Sequence, residues 1–589
     1  MHVIATAGHV DHGKSTLVTA VTGMDPDRFA EEKARGLTID LGFAWTTLPS
    51  GRQLAFVDVP GHVRFLPNML AGAGTVHACV FVVAATEGWK PQSEEHLRIL
   101  ELLGVKDGFV ALTKVELVDE ELRQFRREQI KERVAGTFLE GSPVLEVDAP
   151  SGIGLPALIE ALDELVVALP PPLNRGRARL WIDRCFTIRG AGTVVTGTLA
   201  DGHLAVGDVL AAVPGPPPDR SPLVVRVRSL QSHKQSVHDA MPGQRVAVNV
   251  TGVSHTQLGR GQALVRLDQW APTRMIDASL HVLDAVDHEV GRRGAYQAYV
   301  GSSEHSVAIR ILGGESLAPG ERGLIRLHFP VALPLLPGDR YVLRESGRSE
   351  TIGGGEVLDV SPVRTVARAR PDRSVDRVIA ERMWLTPDEL ERLTGERREP
   401  TLVGRWIVHP AALQTSKDRI RRAVEDSGAL GLEVTRLSER ERAVLSTMGE
   451  ITSDGARARS VRDSSAHPLA DHPYLKMLDR SPFTPPAPEE SGVSKEELRE
   501  LVRSGRVIER EGCYFSPAAM KTAARCVARL LADSPAGITT SAVRSELGTT
   551  RKFALPILSY LDAAGITRRR GDLRIGGPRL TSDQDEEGE

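Results

Sequence analysis

Near-continuous apolar runs recur in the first third of the chain, at residues 3–7, 54–59, 78–85, 109–112 and 144–147. They are rich in Val, Ile and Phe and do not alternate with polar residues, the pattern of strands buried on both faces. Amphipathic stretches at 93–103 and 155–168 separate them, which predicts right-handed βαβ units and a doubly wound parallel sheet over residues 1–172. Leu169 is followed by Pro170, Pro171 and Pro172, which end the helical pattern because proline lacks an N–H and fixes φ. From 173 to 365 short Val, Thr and Leu runs are broken by Gly and Pro. This predicts two β-barrels, at 173–265 and 266–365. From 370 to 580 Arg-rich amphipathic stretches alternate with Gly-flanked turns, predicting small helix-turn-helix units within 370–516 and a last one at 517–580. The Pro-rich residues 482–488 are a linker between two of them. The acidic residues 581–589 form a disordered tail.

Composition narrows the class. Charged residues make up 26% and hydrophobic ones 41%, which excludes a disordered chain, a collagen and a membrane bundle. The longest apolar run falls well short of the ~20 residues that span a bilayer, and the N-terminus carries no signal-peptide pattern, so no membrane association is expected. The four cysteines, Cys79, Cys185, Cys513 and Cys526, form no C-x-x-C pair. That argues against a zinc ribbon or a disulfide framework and for a cytoplasmic protein. The formal net charge of −3 hides an asymmetry: residues 517–580 hold 11 Lys and Arg against four Asp and Glu.

Gly8, His9, Val10, Asp11, His12, Gly13, Lys14 and Ser15 fit G-x-x-x-x-G-K-[ST], directly after the first apolar run and before a helical pattern. That context makes the motif a P-loop. Gly8 and Gly13 permit the tight turn that points successive N–H groups at phosphate oxygens, and the following helix adds its positive N-terminus. Lys14 supplies charge to the β- and γ-phosphates, and the Ser15 hydroxyl is placed for Mg²⁺. Asp58, at the end of the second run, can hold Mg²⁺ through water, and the Gly61 N–H can read a γ-phosphate. Thr38 offers a second hydroxyl to the metal. Thr113, Lys114 and Glu116 end the next strand, where a base-reading Lys and carboxylate belong.

Taken together, these residues resemble the translational GTPases related to elongation factor Tu. The resemblance implies GTP and GDP as ligands with Mg²⁺, and Thr38 and Gly61 as the residues that hold the γ-phosphate and let it go after hydrolysis. It implies that His62 positions the attacking water once a ribosome docks, flanked by Val10 and Leu37, and that Asp11 is the P-loop Asp of the family. Two places depart from the pattern. Glu116 stands where the family has Asp; one methylene longer, it accepts both guanine hydrogen bonds only if backbone or base shifts, and guanine is still expected to be preferred. Asp148, Ala149 and Pro150 replace the usual Ser-Ala of the last guanine loop, with Ala149 at the matching position.

The segment from Phe186 through Gly190, Gly192 and Gly197, followed by Val206, Gly207 and Asp208, resembles the opening of the second domain of this superfamily, a barrel that clamps the acceptor end of aminoacyl-tRNA. Ile182, Asp183 and Arg184 before it, and Gly243, Gln244 and Arg245 after it, narrow the resemblance to the selenocysteine-specific elongation factors, the SelB family. The resemblance implies that Asp183, Arg184 and Arg245 line the aminoacyl pocket. Selenocysteine is ionised at neutral pH and serine is not, so two arginines offer a charge-assisted contact that serine cannot match. A neutral ligand would leave them uncompensated.

In the last unit, residues 517–532, 539–547 and 550–564 are predicted helices and 566–575 a two-stranded wing. Pro556 should kink the third helix or shift its start. Arg551 and Lys552 open that helix, and Arg568, Arg569 and Arg570 lie on the wing, a set suited to tracking a phosphate backbone. The sequence from Leu547 to Gly571 resembles the terminal winged helix of the SelB family, which binds an mRNA hairpin beside an in-frame UGA codon. The expected protein is thus a monomeric GTPase with an α/β P-loop domain, two β-barrels and tandem winged helices. Its expected partners are selenocysteyl-tRNA, an mRNA hairpin and the ribosome. The rivals are another aminoacyl-tRNA-binding GTPase with a nucleic-acid-binding tail, and a non-hydrolysing scaffold.

Overall fold

A computed structural model describes residues 2–26, 41–60, 76–190, 192–348, 350–399, 403–461 and 469–580. Thr38, Gly61, His62, Leu37 and the acidic tail lie outside the described residues. The chain divides into two compact units, residues 1–409 and 410–589.

The first unit begins with a six-stranded sheet. Its strands are β1 (His2–Ala7), β2 (Gly42–Thr47), β3 (Gln53–Asp58), β4 (Ala78–Ala84), β5 (Gly108–Thr113) and β6 (Val144–Glu146), in the order β2-β3-β1-β4-β5-β6. All neighbours are parallel except β2, which runs antiparallel to β3 along the edge. The apolar runs that predict strands coincide with β1, β3, β4, β5 and β6; the antiparallel edge was not anticipated. Helices α1 (Lys14–Thr22), α2 (Pro91–Leu102), α3 (Glu120–Val134) and α4 (Leu155–Ala168) belong to this layer. Two separate apolar clusters lie within it, one built on Phe81, Leu97 and Leu100 and the other on Leu54, Leu158 and Leu162. Strands buried from both sides therefore carry no polar face.

Two barrels follow. In the first, β7 (Arg179–Ile188) pairs with β8 (Gly192–Asp201) and Ala263–Val265, and Leu223–Ser232 pairs with Val209–Val213 to close a six-strand ring. The second is a closed six-strand barrel from Thr273–Val282 to Glu350–Asp359. A buried fork joins them: Arg179 on β7 donates to both Asp339 oxygens and to the Pro334 carbonyl.

The second unit repeats one theme, helices followed by a small hairpin. Helices Pro473–Arg480 and Lys495–Arg503 precede the hairpin Ile508–Arg510 and Cys513–Phe515. The last repeat has helices Pro517–Asp533, Thr540–Glu546 and Arg551–Ala563. Its three-stranded sheet contains Ile538–Thr539, Leu573–Gly576 and Thr567–Arg570. Phe515, Val527, Val543, Ile557 and Leu561 form its core. The third helix starts at Arg551 and runs through Pro556 as one element, so its start is not displaced. No helix among the described residues is long and apolar enough to cross a membrane, and all four cysteines are free.

Candidate functional site

The loop between β1 and α1 turns on three residues with positive φ: Gly8 (132°), Asp11 (62°) and Gly13 (87°). A Cβ at Gly8 would sit 2.1 Å from the Val82 carbonyl oxygen, so only glycine lets the loop lie against β4. Lys14 is buried, and its Nζ donates to the Gly8 and His9 carbonyls at 3.0 and 2.8 Å. Ser15 Oγ donates to Asp58 Oδ2 at 2.6 Å, and Thr6 Oγ1 donates to the other carboxylate oxygen. Asp58 itself is fully buried. The structure thus brings Lys14, Ser15 and Asp58 together behind the loop. Thr113 Oγ1 donates to the His12 carbonyl at 2.6 Å, which ties the end of β5 to the P-loop. His12 is buried against the Val82 carbonyl, and burial pushes its pKa down to about 3, so it is neutral.

At the base-reading end, Lys114 adopts φ 60° and leads into a short turn, Val115–Leu117, on which Glu116 is exposed. Asp148 is buried and accepts from Ser151 N and Oγ at 3.2 and 2.8 Å. Its carboxylate closes its own loop, and half-buried Ala149 follows it.

A second constellation lies between the sheet and the first barrel. Asp183 and Arg245 form a bidentate pair across neighbouring parts of the barrel. Thr196 Oγ1 donates to Asp183 at 2.7 Å and accepts from Arg245 at 3.2 Å. Burial works to raise the Asp183 pKa, but the Arg245 charge and hydrogen bonds outweigh it and hold the carboxyl below its usual range. Arg184 donates to the Leu41 carbonyl. The Arg245 and Arg184 guanidinium carbons lie 3.3 and 5.4 Å from the Phe43 ring centre. Arg184, Arg245, Thr196 and Phe43 border a cavity of about 250 Å³ that Trp45, His233 and Lys234 also line; Asp183, expected in the lining, instead holds Arg245 without bordering the cavity itself.

The sequence reading missed half of this pocket. A neutral ligand was expected to leave both arginines uncompensated, yet Asp183 already neutralises Arg245. The sequence reading also assigned nothing to Phe43 and Trp45 on edge strand β2. His233 and Lys234 form the two-residue turn between Leu223–Ser232 and Gln235–Val237, at φ 53° and 63°. Such turns favour Asn-Gly, and each side chain held there costs on the order of 1 kcal/mol. Packing holds them in place: the His233 ring stacks on Trp45 at 5.0 Å, and Lys234 Nζ lies 5.7 Å from the same ring. His233 Nε2 is enclosed and has no hydrogen-bond partner among the described residues. Only the absence of a turn-forming pair at this hairpin could have flagged the site.

In the second unit Arg551 and Lys552 open the third helix, and Arg568, Arg569 and Arg570 occupy the wing strand; all five are exposed. None of them forms an ion pair among the described residues, whereas Arg574 is held by Asp562 and Arg529 by Glu546. Asp562 also accepts from Thr567 Oγ1, so one carboxylate fixes the wing to the helix and leaves the other cations outward.

Family models match in the same order. The elongation factor Tu GTP binding domain matches residues 1–168, elongation factor Tu domain 2 matches residues 192–265, and the elongation factor SelB winged helix matches residues 529–575. The selenocysteine-specific elongation factor of Desulfomicrobium baculatum is 31% identical over 97% of this chain and 99% of its own. That of Escherichia coli (strain K12) is 31% identical over 97% and 98%. A crystal structure of a bacterial selenocysteine-specific elongation factor, EF-Sec, superposes with a TM-score of 0.67 at 25% identity, covering 98% of this chain and all of that one. With three family models in register and relatives matched from end to end, the chain belongs to the selenocysteine-specific elongation factors, a family of translational GTPases.

Proposed function

We propose that this chain carries selenocysteyl-tRNA to the ribosome at UGA codons in a GTP-dependent cycle, and that its last winged helix holds an mRNA hairpin. The observation that carries the reading is the cavity that Arg184, Lys234 and Arg245, the last held by Asp183, line beside Phe43 and Trp45. With Arg245 neutralised by Asp183, Lys234 adds positive charge to the lining of the cavity. An ionised selenol fits that field and a neutral hydroxyl does not.

GTP is bound by the N–H groups of the loop from Asp11 to Ser15, by Lys14, and at the base by Lys114 and Glu116. Mg²⁺ suits the oxygens of half-buried Ser15 and fully buried Asp58, with Thr38 as a further ligand and Asp58 acting through water. It would neutralise charge on the β- and γ-phosphates. His62 orients the attacking water when the ribosome docks. Loss of the γ-phosphate releases Thr38 and Gly61, and the pocket wall on β2 moves with them. The cations Arg551, Lys552, Arg568, Arg569 and Arg570 meet the RNA backbone, and looped-out bases carry the sequence information.

The test is equilibrium binding of one tRNA charged with selenocysteine or with serine, in the presence of GTP. Selenocysteyl-tRNA should bind more tightly. Equal affinity would overturn the selenocysteine assignment and favour another aminoacyl-tRNA carrier.

A further inference from the structure

Helix α2 lies along the P-loop and extends two side chains to it from one face, a single turn apart. His96 Nδ1 accepts the Gly8 N–H at 3.1 Å, and Gln92 Oε1 accepts the Val10 N–H at 3.4 Å. The Gly8 carbonyl accepts from Lys14 Nζ at 3.0 Å. Residue 8 is therefore gripped at its N–H by α2 and at its carbonyl by the P-loop lysine. The grip has a physical purpose. Gly8 sits at φ 132°, where glycine has no intrinsic preference and loses more freedom on ordering than any other residue. Nothing in its own chemistry would hold the loop in this shape. His96 is 1% exposed. Burial, then the charges of Lys14 and His9, push its pKa down to about 3, so the ring stays neutral and Nδ1 keeps the lone pair that the N–H needs.

We propose that His96 is a positioning residue for nucleotide binding: its Nδ1 fixes the Gly8 peptide and so aims Lys14 and the following P-loop N–H groups at the phosphates. Donors set in place beforehand bind charge without paying for reorganisation at the moment of binding. This rests on the P-loop reading above. It differs from a packing role for the ring, because packing needs the volume of His96 and positioning needs its acceptor.

Three variants of the full-length chain separate the two. His96→Asn keeps an acceptor near the position of Nδ1, His96→Gln moves it one bond further out, and His96→Leu keeps volume without an acceptor. Association and dissociation of a fluorescent GDP and GTP are measured by stopped flow, with a melting curve for each variant. His96→Leu should bind both nucleotides roughly tenfold more weakly, as expected for a buried N–H left without a partner. The loss should lie chiefly in faster dissociation, and the melting temperature should be no lower than that of His96→Asn. His96→Asn should come within about threefold of wild type. Wild-type binding by a folded His96→Leu, or equal losses in Asn and Leu, overturns the proposal. Should His96→Leu not fold, equal losses in Asn and Gln overturn it and a smaller loss in Asn supports it. A wild-type chain that binds no guanine nucleotide would defeat the P-loop reading itself, which is a different outcome.

Discussion

Replacing Asp183 by Asn keeps the size of the side chain and deletes its charge. Asp183 and Arg245 are only 9% and 16% exposed at their side chains, so the guanidinium left behind has little access to water. Removing one partner of a buried ion pair costs about 3–5 kcal/mol, because an uncompensated charge stays behind. Arg245 retains the Thr196 hydroxyl and the Phe43 ring, which places the expected loss at the low end, ~3 kcal/mol, or roughly a 150-fold shift in the unfolding equilibrium. Urea unfolding followed by tryptophan fluorescence reads it, since Trp181 lies on the same strand. Acid gives an independent check. The folded Asp183 pKa lies below its ordinary value of 3.8, so its stabilisation is fully present above that value and is lost as pH falls through the folded one. The gap between wild type and variant should be constant at neutral pH and close below about pH 4. The pocket reading adds a sign: with one negative charge removed, selenocysteyl-tRNA should gain affinity relative to seryl-tRNA. An unchanged urea midpoint, or a gap that persists in strong acid, would refute the argument that this pair is buried and coupled.

Four other outcomes follow from the geometry. Burial holds His12 and His96 at about 3 and His77 at about 4, against an ordinary 6.5. Their stabilisation is therefore complete above pH 6.5 and lost as pH falls toward 4 and below, and a melting temperature that stays flat from pH 6.5 to 4.5 would contradict it. Glu116→Asp should tighten GDP and GTP binding together by about 1 kcal/mol; weaker binding in a titration would mean that the loop is built around Glu. His62→Ala should leave GTP affinity unchanged and slow ribosome-stimulated hydrolysis by about 10²-fold or more, and an unaltered single-turnover rate would remove His62 from the trigger. Replacing Arg568, Arg569 and Arg570 with Ala should lower both the hairpin affinity and its salt dependence, by about 0.7–0.9 in log–log slope per lost phosphate contact. Filter binding across a salt series checks this, and an unchanged slope speaks against wing contacts.

The legible parts of the fold were those with a local cause. Strands β1, β3 and β4 are buried on both faces and announce themselves as apolar runs, and the P-loop is set by glycines and a lysine close together in the chain. Strand β2 was missed because its outer end is half-exposed, so Gly42–Thr47 shows neither a continuous run nor alternation; with it went Phe43 and Trp45. The Asp183–Arg245 pair joins residues far apart in sequence, and no periodicity encodes it. The helices between the second barrel and the last winged helix carry a local signal in the sequence. Thr386 with Glu389, Ser438 with Glu441, and Ser494 with Glu497 each form a complete capping box at the start of a helix. A hydroxyl residue followed three positions later by Glu is too common to stand alone, but its recurrence marks three helix starts between the second barrel and the last winged helix.

The pocket wall on β2 begins only a few residues after Thr38, and the opposite wall belongs to the barrel. Whatever sits in the cavity is therefore shared by two bodies, one of them joined directly to the segment proposed to sense the γ-phosphate. Thermodynamic linkage makes such sharing symmetric. If GTP raises the affinity for a charged tRNA by some factor, the charged tRNA must raise the affinity for GTP by the same factor, with no contact between the two ligands. Cargo would then slow nucleotide loss, and an empty carrier would exchange its nucleotide more readily than a loaded one.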